Sequence, residues 1–379
     1  MYTEQMETTE MNKRYILHVM GMDSSKYGGI ERFNVALSEA LLEKGFHSVF
    51  VYESEPASKE FMSDLKESEA QVFVSNSRKH PLRFCLDFVR LLRQYHPMLV
   101  HAHFTKARFY AIPIAYLLGI SRLFFTIHSR MDPKNRIKPL TRLWYERANK
   151  MAKVIAVSDD IESNYRANWP QATTKRIYLG VETISGNKHE CRSKLGIPER
   201  QTMVLTVANF NQIKGLDVLC KAISLLKQRG ELGSEVRFYI VGQPESDKLE
   251  LEALLSELGL CDFVEIVGIS NEVPSYMCAA DFYVQPSRSE GLPLALMEAT
   301  SASLPIIGTR VGGIPEIVRE GYNGLLVDSE NERMLADAIS KMLSDIQMRS
   351  SFSEHSFKLY HELFSIDNGV RQTISYYEV

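Results

Sequence analysis

The alternation of short apolar runs with amphipathic stretches constrains the fold of this chain more than any other feature. Amphipathic segments such as 30–45 and 215–230 separate the runs. The runs fall at 14–20, 47–53, 70–75, 98–104, 122–128 and 153–158, and then at 202–210, 236–243, 263–268, 282–287 and 304–309. Nearly continuous apolar strands between helices predict parallel sheets covered on both faces. Because the runs form two sets, the sequence predicts an α/β protein with two doubly wound domains.

The length of the chain supports this division, since 379 residues exceed what one hydrophobic core usually serves. Ligands of open parallel sheets bind outside the carboxyl ends of the strands, so two sheets facing across a cleft could hold a donor and an acceptor. We expect a disordered leader at 1–13, an N-terminal Rossmann-like acceptor domain at 14–182, a linker at 183–200, a C-terminal Rossmann-like domain at 201–355, and a helical segment at 356–379 that packs back on the N-terminal domain.

Cysteine usage and hydropathy exclude several classes of protein. The five cysteines contain no C-x-x-C pair, so neither a disulfide framework nor a zinc site is indicated, and a reducing cytosol fits best. The longest apolar run, at 111–120, is too short to span a bilayer. The polar, acidic N-terminus is unlike a signal peptide. We therefore expect a cytoplasmic protein.

Basic residues are concentrated in the N-terminal half. Residues 78–153 hold 16 Lys and Arg against 3 Asp and Glu, which creates a field that attracts an anionic surface or a phosphorylated substrate. A solvated basic face is the plainer interpretation. Nucleic acid is disfavoured as a partner, because no binding motif accompanies the charge.

Three predicted strand–loop–helix edges in the C-terminal half could hold an anion. Lys214 and Gly215 follow one apolar run, Gly291 follows another, and Gly312 and Gly313 precede a further helix. Helix N-termini offer free N–H groups and the positive end of a dipole, and a lysine strengthens such a site. Edges that converge on one rim would form a phosphate cradle.

Two carboxylates bracket the segment "SEGLPLALME". Pro293 suits the first turn of a helix, which places Glu290 on the entering loop and Glu298 inside the helix. Both could accept hydrogen bonds from hydroxyls, Glu298 from a ribose diol and Glu290 from a hexose. Two alternatives stay open: Glu298 as the buried partner of an arginine or an N–H group, and Glu290 as a charge favoured by the helix dipole.

Residues 262–327 closely resemble the nucleotide-sugar-binding half of the retaining family 4 glycosyltransferases, which have the GT-B architecture of two Rossmann-like domains. "SEGLPLALME" matches the E-x7-E motif of that family. The segments "VLTVANFNQIKGLDVLCKAI", "FYIVGQ", "ADFYVQPSRSEG" and "GTRVGGIPEIVREGYNGLLV" follow in family order and spacing. The N-terminal half agrees more loosely, through "GGIERFNVALSEAL", "LVHAHF", "FTIHSR" and "VIAVSDDI". The resemblance covers nearly the whole chain after residue 14.

The resemblance implies roles for individual residues. Glu298 would hold the ribose hydroxyls, Glu290 would meet the transferred sugar, and Lys214 would neutralise the donor diphosphate. His128 would lie beside the anomeric centre, so the implied catalytic residues are His128, Glu290 and Lys214. The implied donor-binding residues are Gly28, Gly29, Asn209, Lys214, Ile269, Glu290, Gly291, Leu292, Pro293, Leu294 and Glu298.

One position departs from the family pattern. The family usually has an arginine five residues before the lysine, where this chain has Asn209. Either Arg310 or another base compensates for the missing phosphate contact, or the donor is bound more weakly. We expect His101 and His103 to line the cleft or pack in the core. No Asp-x-Asp occurs and no His/Asp cluster has metal-ligand spacing, so we expect catalysis without a metal or another cofactor.

The sequence therefore predicts a glycosyltransferase that retains anomeric configuration and uses a nucleotide-diphosphate sugar, with UDP favoured by family frequency. The expected acceptor is a glycan or a lipid-diphosphate-linked glycan of surface polysaccharide assembly, reached by peripheral contact of 78–153 with an anionic membrane. A soluble acceptor, a sugar-nucleotide epimerase, a glycogen-synthase-like polymerase and a non-catalytic sugar-binding protein remain alternatives. A nicotinamide oxidoreductase is disfavoured, because G-x-G-x-x-G does not follow the first strand.

Overall fold

The computed structural model describes residues 13–25, 27–130, 139–243 and 248–379, without the side chains of 105–107 and 139–141. The chain forms two compact units: an N-terminal unit of Met1–Gly180 and Ile366–Val379, and a C-terminal unit of Val181–Ser365. The main chain therefore passes between the units twice. Of the leader expected at 1–13, only the last residue lies within the described part of the chain.

The described part of the N-terminal unit contains a seven-stranded sheet in the order β3-β2-β1-β4-β5-β6-β7, in which every pair is parallel. Its strands are β1 Arg14–Val19, β2 Phe46–Tyr52, β3 Gln71–Val74, β4 Leu99–His103, β5 Arg122–Ile127, β6 Lys153–Ala156 and β7 Thr174–Arg176. Its helices include α1 Gly29–Glu43, α2 Lys59–Glu67, α3 Pro81–Tyr95, α4 Thr105–Leu117, α5 Pro139–Met151 and α6 Asp159–Asn168.

The C-terminal unit contains a six-stranded parallel sheet in the order β10-β9-β8-β11-β12-β13. Its strands are β8 Thr202–Val207, β9 Val236–Val241, β10 Val264–Gly268, β11 Phe282–Gln285, β12 Ile306–Thr309 and β13 Gly324–Val327. Its helices are α7 Lys188–Leu195, α8 Leu216–Gln228, α9 Lys248–Glu257, α10 Val273–Ala279, α11 Leu294–Ser301, α12 Ile314–Ile317, α13 Glu332–Ser344 and α14 Ile346–Leu359, with a 3₁₀ turn at Gln212–Lys214 and a π-helical turn at Tyr360–Phe364. The last helix of the chain, α15 Ile366–Tyr377, belongs to the N-terminal unit.

The prediction of two doubly wound parallel sheets is confirmed. Each sheet has one edge strand beyond the predicted runs, β7 in the first and β13 in the second. β7 is three residues of sequence TKR and partly exposed, so it carries no apolar signal. β13 is four buried residues of sequence GLLV, too short to be separated from the loop before it.

Local sequence explains where several helices begin and which face they bury. The side chains of Ser158, Asn331 and Asp345 accept hydrogen bonds from N–H groups of the first turns of α6, α13 and α14, the role for which such residues are favoured. In α8, Leu219 and Ile223 are completely buried four residues apart, as the core-facing stripe of an amphipathic helix requires. Among the described residues, no helix combines the length and the apolar character needed to cross a membrane.

Candidate functional site

The strand order reverses at one place in each sheet, and most of the predicted site residues follow the strands at those places. In the C-terminal unit the reversal lies between β8 and β11. Loops that leave such a pair of strands diverge and open a crevice at the carboxyl edge of the sheet. Lys214 lies on the loop after β8, and Glu290 lies on the loop after β11. In the N-terminal unit the reversal lies between β1 and β4.

The side chains of Lys214 and Glu290 form an ion pair. Lys214 Nζ lies 2.7 Å from Glu290 Oε1, and the Glu290 side chain is only 9% exposed. The same oxygen accepts hydrogen bonds from Gln285 Nε2 at 3.1 Å and from Ser287 Oγ at 2.7 Å. Three donors therefore hold the carboxylate in one orientation, and the carboxylate neutralises the lysine that could bind a phosphate.

Tyr283 supports this pair from within the sheet. Its hydroxyl accepts a hydrogen bond from the N–H of Val207 and lies 2.9 Å from Gln285 Oε1. Burial raises the pKa of Tyr283 far above its usual value, and the charges of Glu298 and Glu290 raise it further. The phenol is therefore neutral, and both carboxylates act on the same buried group.

Glu298 lies inside α11 and is partly buried. The helix begins at Leu294, with Pro293 as the N-cap residue in extended conformation rather than a residue of the first turn. This changes the expected start by one residue, and Glu290 is on the entering loop as expected.

Arg288, which sequence reasoning did not single out, joins the two loops that carry Lys214 and Glu290. Its Nη1 and Nη2 each lie 2.8 Å from one carboxylate oxygen of Asp217, and its backbone N–H donates to the carbonyl of Ile213 at 2.7 Å. Arg288 also pairs with Glu330. Burial raises the pKa of the Asp217 carboxyl, but the hydrogen bonds and charge of Arg288 outweigh it and leave that pKa below its usual value.

Glycines allow three loops to touch at this edge. Gly215 has φ +66°, and a Cβ there would lie 2.1 Å from the carbonyl oxygen of Pro286. Gly312 has φ +52°, and a Cβ there would lie 1.8 Å from the carbonyl oxygen of Glu290. The N–H of Gly313 donates to the carbonyl of Gly291 at 2.9 Å. The loops after β8, β11 and β12 are therefore in direct backbone contact, which larger residues would prevent.

The remaining donor-site candidates lie at the same carboxyl edge. Asn209 is partly buried two residues after β8, and Ile269, the residue after β10, is 72% exposed. Leu292 lies on the loop before α11 and is close to Gly313, since a Cβ on Gly313 would lie 3.1 Å from Leu292 Cδ1. Arg310, the expected replacement for the missing arginine, has its guanidinium engaged by Glu320 and the carbonyl of Leu326.

In the N-terminal unit, Gly28 and Gly29 begin α1 after the loop that leaves β1. Glu31 sets the conformation of this loop: it is 4% exposed, and it accepts hydrogen bonds from the backbone N–H of Gly28 at 3.1 Å and from Ser24 Oγ at 2.9 Å. The pattern of a helix start with a glutamate in its first turn could have identified Glu31 as the residue that holds this loop.

His128 follows β5 and is partly buried. Its ring stacks on Phe104 with a centroid separation of 4.4 Å, and its Nε2 has no hydrogen-bond partner among the described residues. Burial, with a smaller contribution from the charge of Arg108, lowers the pKa of His128 to about 4. The imidazole is therefore neutral near pH 7, and its Nε2 is buried without a partner among the described residues.

Two family models match the chain and together span most of it. The model described as "Glycosyl transferases group 1" matches residues 187–359, within the C-terminal unit. The model described as "Glycosyltransferase Family 4" matches residues 27–184, most of the N-terminal unit. The chain belongs to the family 4 glycosyltransferases. The family expected from the sequence motifs is thereby confirmed.

The chain is similar to two curated transferases. The chain is 30% identical over 252 residues to D-inositol 3-phosphate glycosyltransferase of Nocardioides sp., a match that covers 61% of this chain and 55% of that protein. It is 27% identical over 289 residues to alpha-D-kanosaminyltransferase of Streptomyces kanamyceticus, covering 70% and 73%. The chain spans about half the length of the D-inositol 3-phosphate glycosyltransferases that it matches.

Solved structures share the fold of this chain over nearly its whole length. A glycosyltransferase from Rickettsia africae superposes with a TM-score of 0.82 at 20% identity, covering 97% of this chain and 98% of that one. Anabaena HepE in complex with UDP gives a TM-score of 0.81 at 20% identity, covering 96% and 99%. At this identity the likeness establishes the fold, and the GT-B architecture is confirmed.

Proposed function

We propose that this chain transfers a sugar from a nucleotide-diphosphate sugar to an acceptor hydroxyl, with retention of anomeric configuration. The observation that carries the proposal is the Lys214–Glu290 pair at the strand reversal of the C-terminal unit, where one oxygen of the carboxylate accepts from three donors. Such a pair offers a cation to a diphosphate and a fixed carboxylate to a sugar hydroxyl. The E-x7-E spacing adds Glu298 as the acceptor for the ribose hydroxyls.

The chemistry needs stabilisation of a departing diphosphate rather than an enzymatic nucleophile. The bond between the anomeric carbon and the phosphate oxygen breaks, the acceptor oxygen bonds to that carbon on the same face, and the acceptor proton passes to the departing phosphate. Lys214 and the backbone N–H groups of Gly291, Leu292 and Leu294 supply fixed donors for the developing charge. Because these groups are already positioned, we propose that transfer proceeds without a metal ion or another cofactor.

We assign the remaining residues as follows. Ile269 presents backbone to the base, and Asn209 provides a neutral contact where the family usually has an arginine. Gly28 and Gly29 close the N-terminal loop over the phosphates and the reacting sugar. His128, whose Nε2 is unpaired and whose imidazole is neutral, binds beside the anomeric carbon. A UDP-sugar is the preferred donor, supported by the UDP-bound HepE of the same fold.

Donor binding provides the test. The pure protein is incubated with a panel of sugar nucleotides, and release of the nucleotide identifies the donor. Calorimetry then measures the affinity of this donor for wild type, Glu298→Ala and Glu354→Gln. Glu354 is exposed on α14, so its variant removes one negative charge away from the proposed pocket. We expect Glu298→Ala to weaken nucleotide binding at least tenfold and the control to leave it unchanged. Equal affinity for all three proteins would refute the ribose assignment.

For the acceptor, we propose a lipid-diphosphate-linked glycan of surface polysaccharide assembly, reached at the anionic cytoplasmic face of a membrane. α3 supports this proposal, because Leu82 and Leu86 are 82% and 63% exposed and Arg83 and Arg90 project beside them with about four-fifths of each side chain exposed. Exposed leucines among arginines suit insertion into an anionic interface. Part of the basic stretch 78–153, residues 131–138, lies outside the described residues.

Vesicle co-sedimentation tests the membrane proposal. We expect wild type to bind phosphatidylglycerol-containing vesicles at low salt and to be released at high salt, and Leu82→Ser/Leu86→Ser to bind more weakly. Leu249→Ser is the matched control, since Leu249 is 78% exposed on the C-terminal unit. Absence of binding at low salt would favour a soluble acceptor. Product analysis separates a one-sugar transferase from the alternatives of an epimerase or a polymerase.

A further inference from the structure

Three histidines on β1 and β4, the strands at the reversal of the N-terminal sheet, meet in the core of the N-terminal unit. His18 of β1 lies opposite His101 of β4 in the parallel register, and His103 lies two residues further along β4. Residues two apart on a strand point to the same face of the sheet, so all three rings share that face. One ring nitrogen from each histidine lies within 4.8 Å of the other two, and all three side chains are buried.

Most of the polar atoms in this cluster are without partners. Both ring nitrogens of His18 and both of His103 have no hydrogen-bond partner among the described residues. His101 differs, because its Nε2 lies 2.7 Å from Thr126 Oγ1 and its Nδ1 contacts the Tyr377 hydroxyl. Buried polar atoms are normally paired with protein, water or an ion. The four nitrogens of His18 and His103 therefore indicate a site for a bound water or ion.

We propose that His18, His101 and His103 form a binding site for a divalent transition metal, with zinc as the expected ion. Imidazole nitrogens suit zinc, copper and nickel rather than magnesium or calcium. Metals bind the neutral imidazole, and burial in the core favours the neutral form.

His101 can keep one of its two hydrogen bonds while its other nitrogen turns to the metal. A ligating histidine characteristically donates its second N–H to an oxygen, which fixes the orientation of the ring, and Thr126 or Tyr377 provides that oxygen here. The fourth position of a tetrahedral site then falls to water or to the Tyr377 oxygen. Because Tyr377 is the last residue of α15, an occupied site would connect β1 and β4 to the C-terminal helix that returns to this unit.

None of the three histidines is assigned to the proposed sugar transfer: Lys214, Glu290 and Glu298 belong to the other unit, and His128, whose ring centroid lies 5.8 Å from that of His103, is not one of the proposed ligands. The expected role of the metal site is structural. An occupied site would stabilise the N-terminal unit and would leave nucleotide binding by the C-terminal unit unchanged.

The test uses the full chain, stripped with EDTA and then titrated with ZnCl₂ or CoCl₂. We expect one tightly held zinc per chain by mass spectrometry of metals, a rise in the thermal unfolding temperature with zinc, and the visible absorption of tetrahedral cobalt. A His18→Gln/His103→Gln variant is expected to lose all three signals. His189→Gln, on the exposed helix α7, and His128→Gln are expected to keep them.

Several results would overturn the proposal. The proposal is overturned if wild type binds no zinc, is not stabilised by zinc and shows no cobalt spectrum. This result needs no variant, so it applies even if the double variant fails to fold. Equal zinc content in wild type and in a folded double variant would also overturn it, as would loss of zinc on His128→Gln alone. Circular dichroism and gel filtration establish the folding of each variant.

Discussion

The ion pair between Lys214 and Glu290 predicts opposite effects on nucleotide affinity for substitutions of its two members. Glu290 pairs with Lys214, with 2.7 Å between the charged atoms. A diphosphate that binds Lys214 must approach this carboxylate. Glu290→Gln removes the negative charge and keeps an oxygen that can accept from Lys214, Gln285 and Ser287, so we expect UDP to bind more tightly. Lys214→Met removes the cation, so we expect UDP to bind more weakly.

The magnitude follows from the geometry. A phosphate oxygen that contacts Lys214 on the side away from Glu290 would lie about 5.5 Å from the carboxylate, and at an effective dielectric constant of about 20 the repulsion is about 3 kcal/mol per unit charge. Partial exposure of Lys214, 24% of its side chain, screens this repulsion. A remainder of about 1–2 kcal/mol corresponds to about 5- to 30-fold tighter binding for Glu290→Gln. Loss of a charge-assisted hydrogen bond in Lys214→Met corresponds to at least about tenfold weaker binding.

Isothermal titration of UDP into wild type and the two variants measures these affinities, with Glu354→Gln as the control for a change of charge at an exposed position. Transfer is measured separately, and we expect Glu290→Gln to lower the turnover number although it binds UDP more tightly. Weaker UDP binding by Glu290→Gln would refute the argument that the carboxylate competes with the diphosphate for Lys214. Unchanged binding by Lys214→Met would refute the placement of the diphosphate.

Two further predictions concern backbone contact and thiol chemistry. Gly215→Ala should destabilise the protein by about 3 kcal/mol or more in urea unfolding, because the new Cβ would overlap the Pro286 carbonyl, 2.1 Å away. Gly196→Ala has a similar positive φ, but among the described residues no atom beyond the chain neighbours of Gly196 lies within 4 Å of the new Cβ, so this change should cost about 1 kcal/mol. Equal costs would contradict the contact. Burial, with the charge of Asp217, raises the pKa of Cys220 to about 12, whereas Cys261 is exposed. We therefore expect iodoacetamide at pH 8 to alkylate Cys261 and to leave Cys220 unmodified, as measured by mass spectrometry. Equal modification of the two in the folded chain would contradict the burial of Cys220.

Residues close together in sequence were the easiest to predict. The spacing of Glu290, Pro293 and Glu298 indicated a loop and a helix to within one residue, because helix geometry is set by neighbours a few positions apart. Arg288 and Asp217 were not recognised as partners, since 71 residues separate them and only the pairing of β8 with β11 brings their loops together. The histidine cluster was missed for the same reason, since His18 is far along the chain from His101 and His103.

The sequence by itself determined the alternation of buried strands and amphipathic helices, the division into two sheets, and the motifs by which the family could be named. These properties are local, because burial and helix capping depend on the side chains of adjacent turns and strands. Only the tertiary structure decided which loops meet at the carboxyl edge, which donors surround Glu290, and which histidines share a face. Strand order and register determine those contacts, and they arise from the packing of the whole sheet rather than from any one segment.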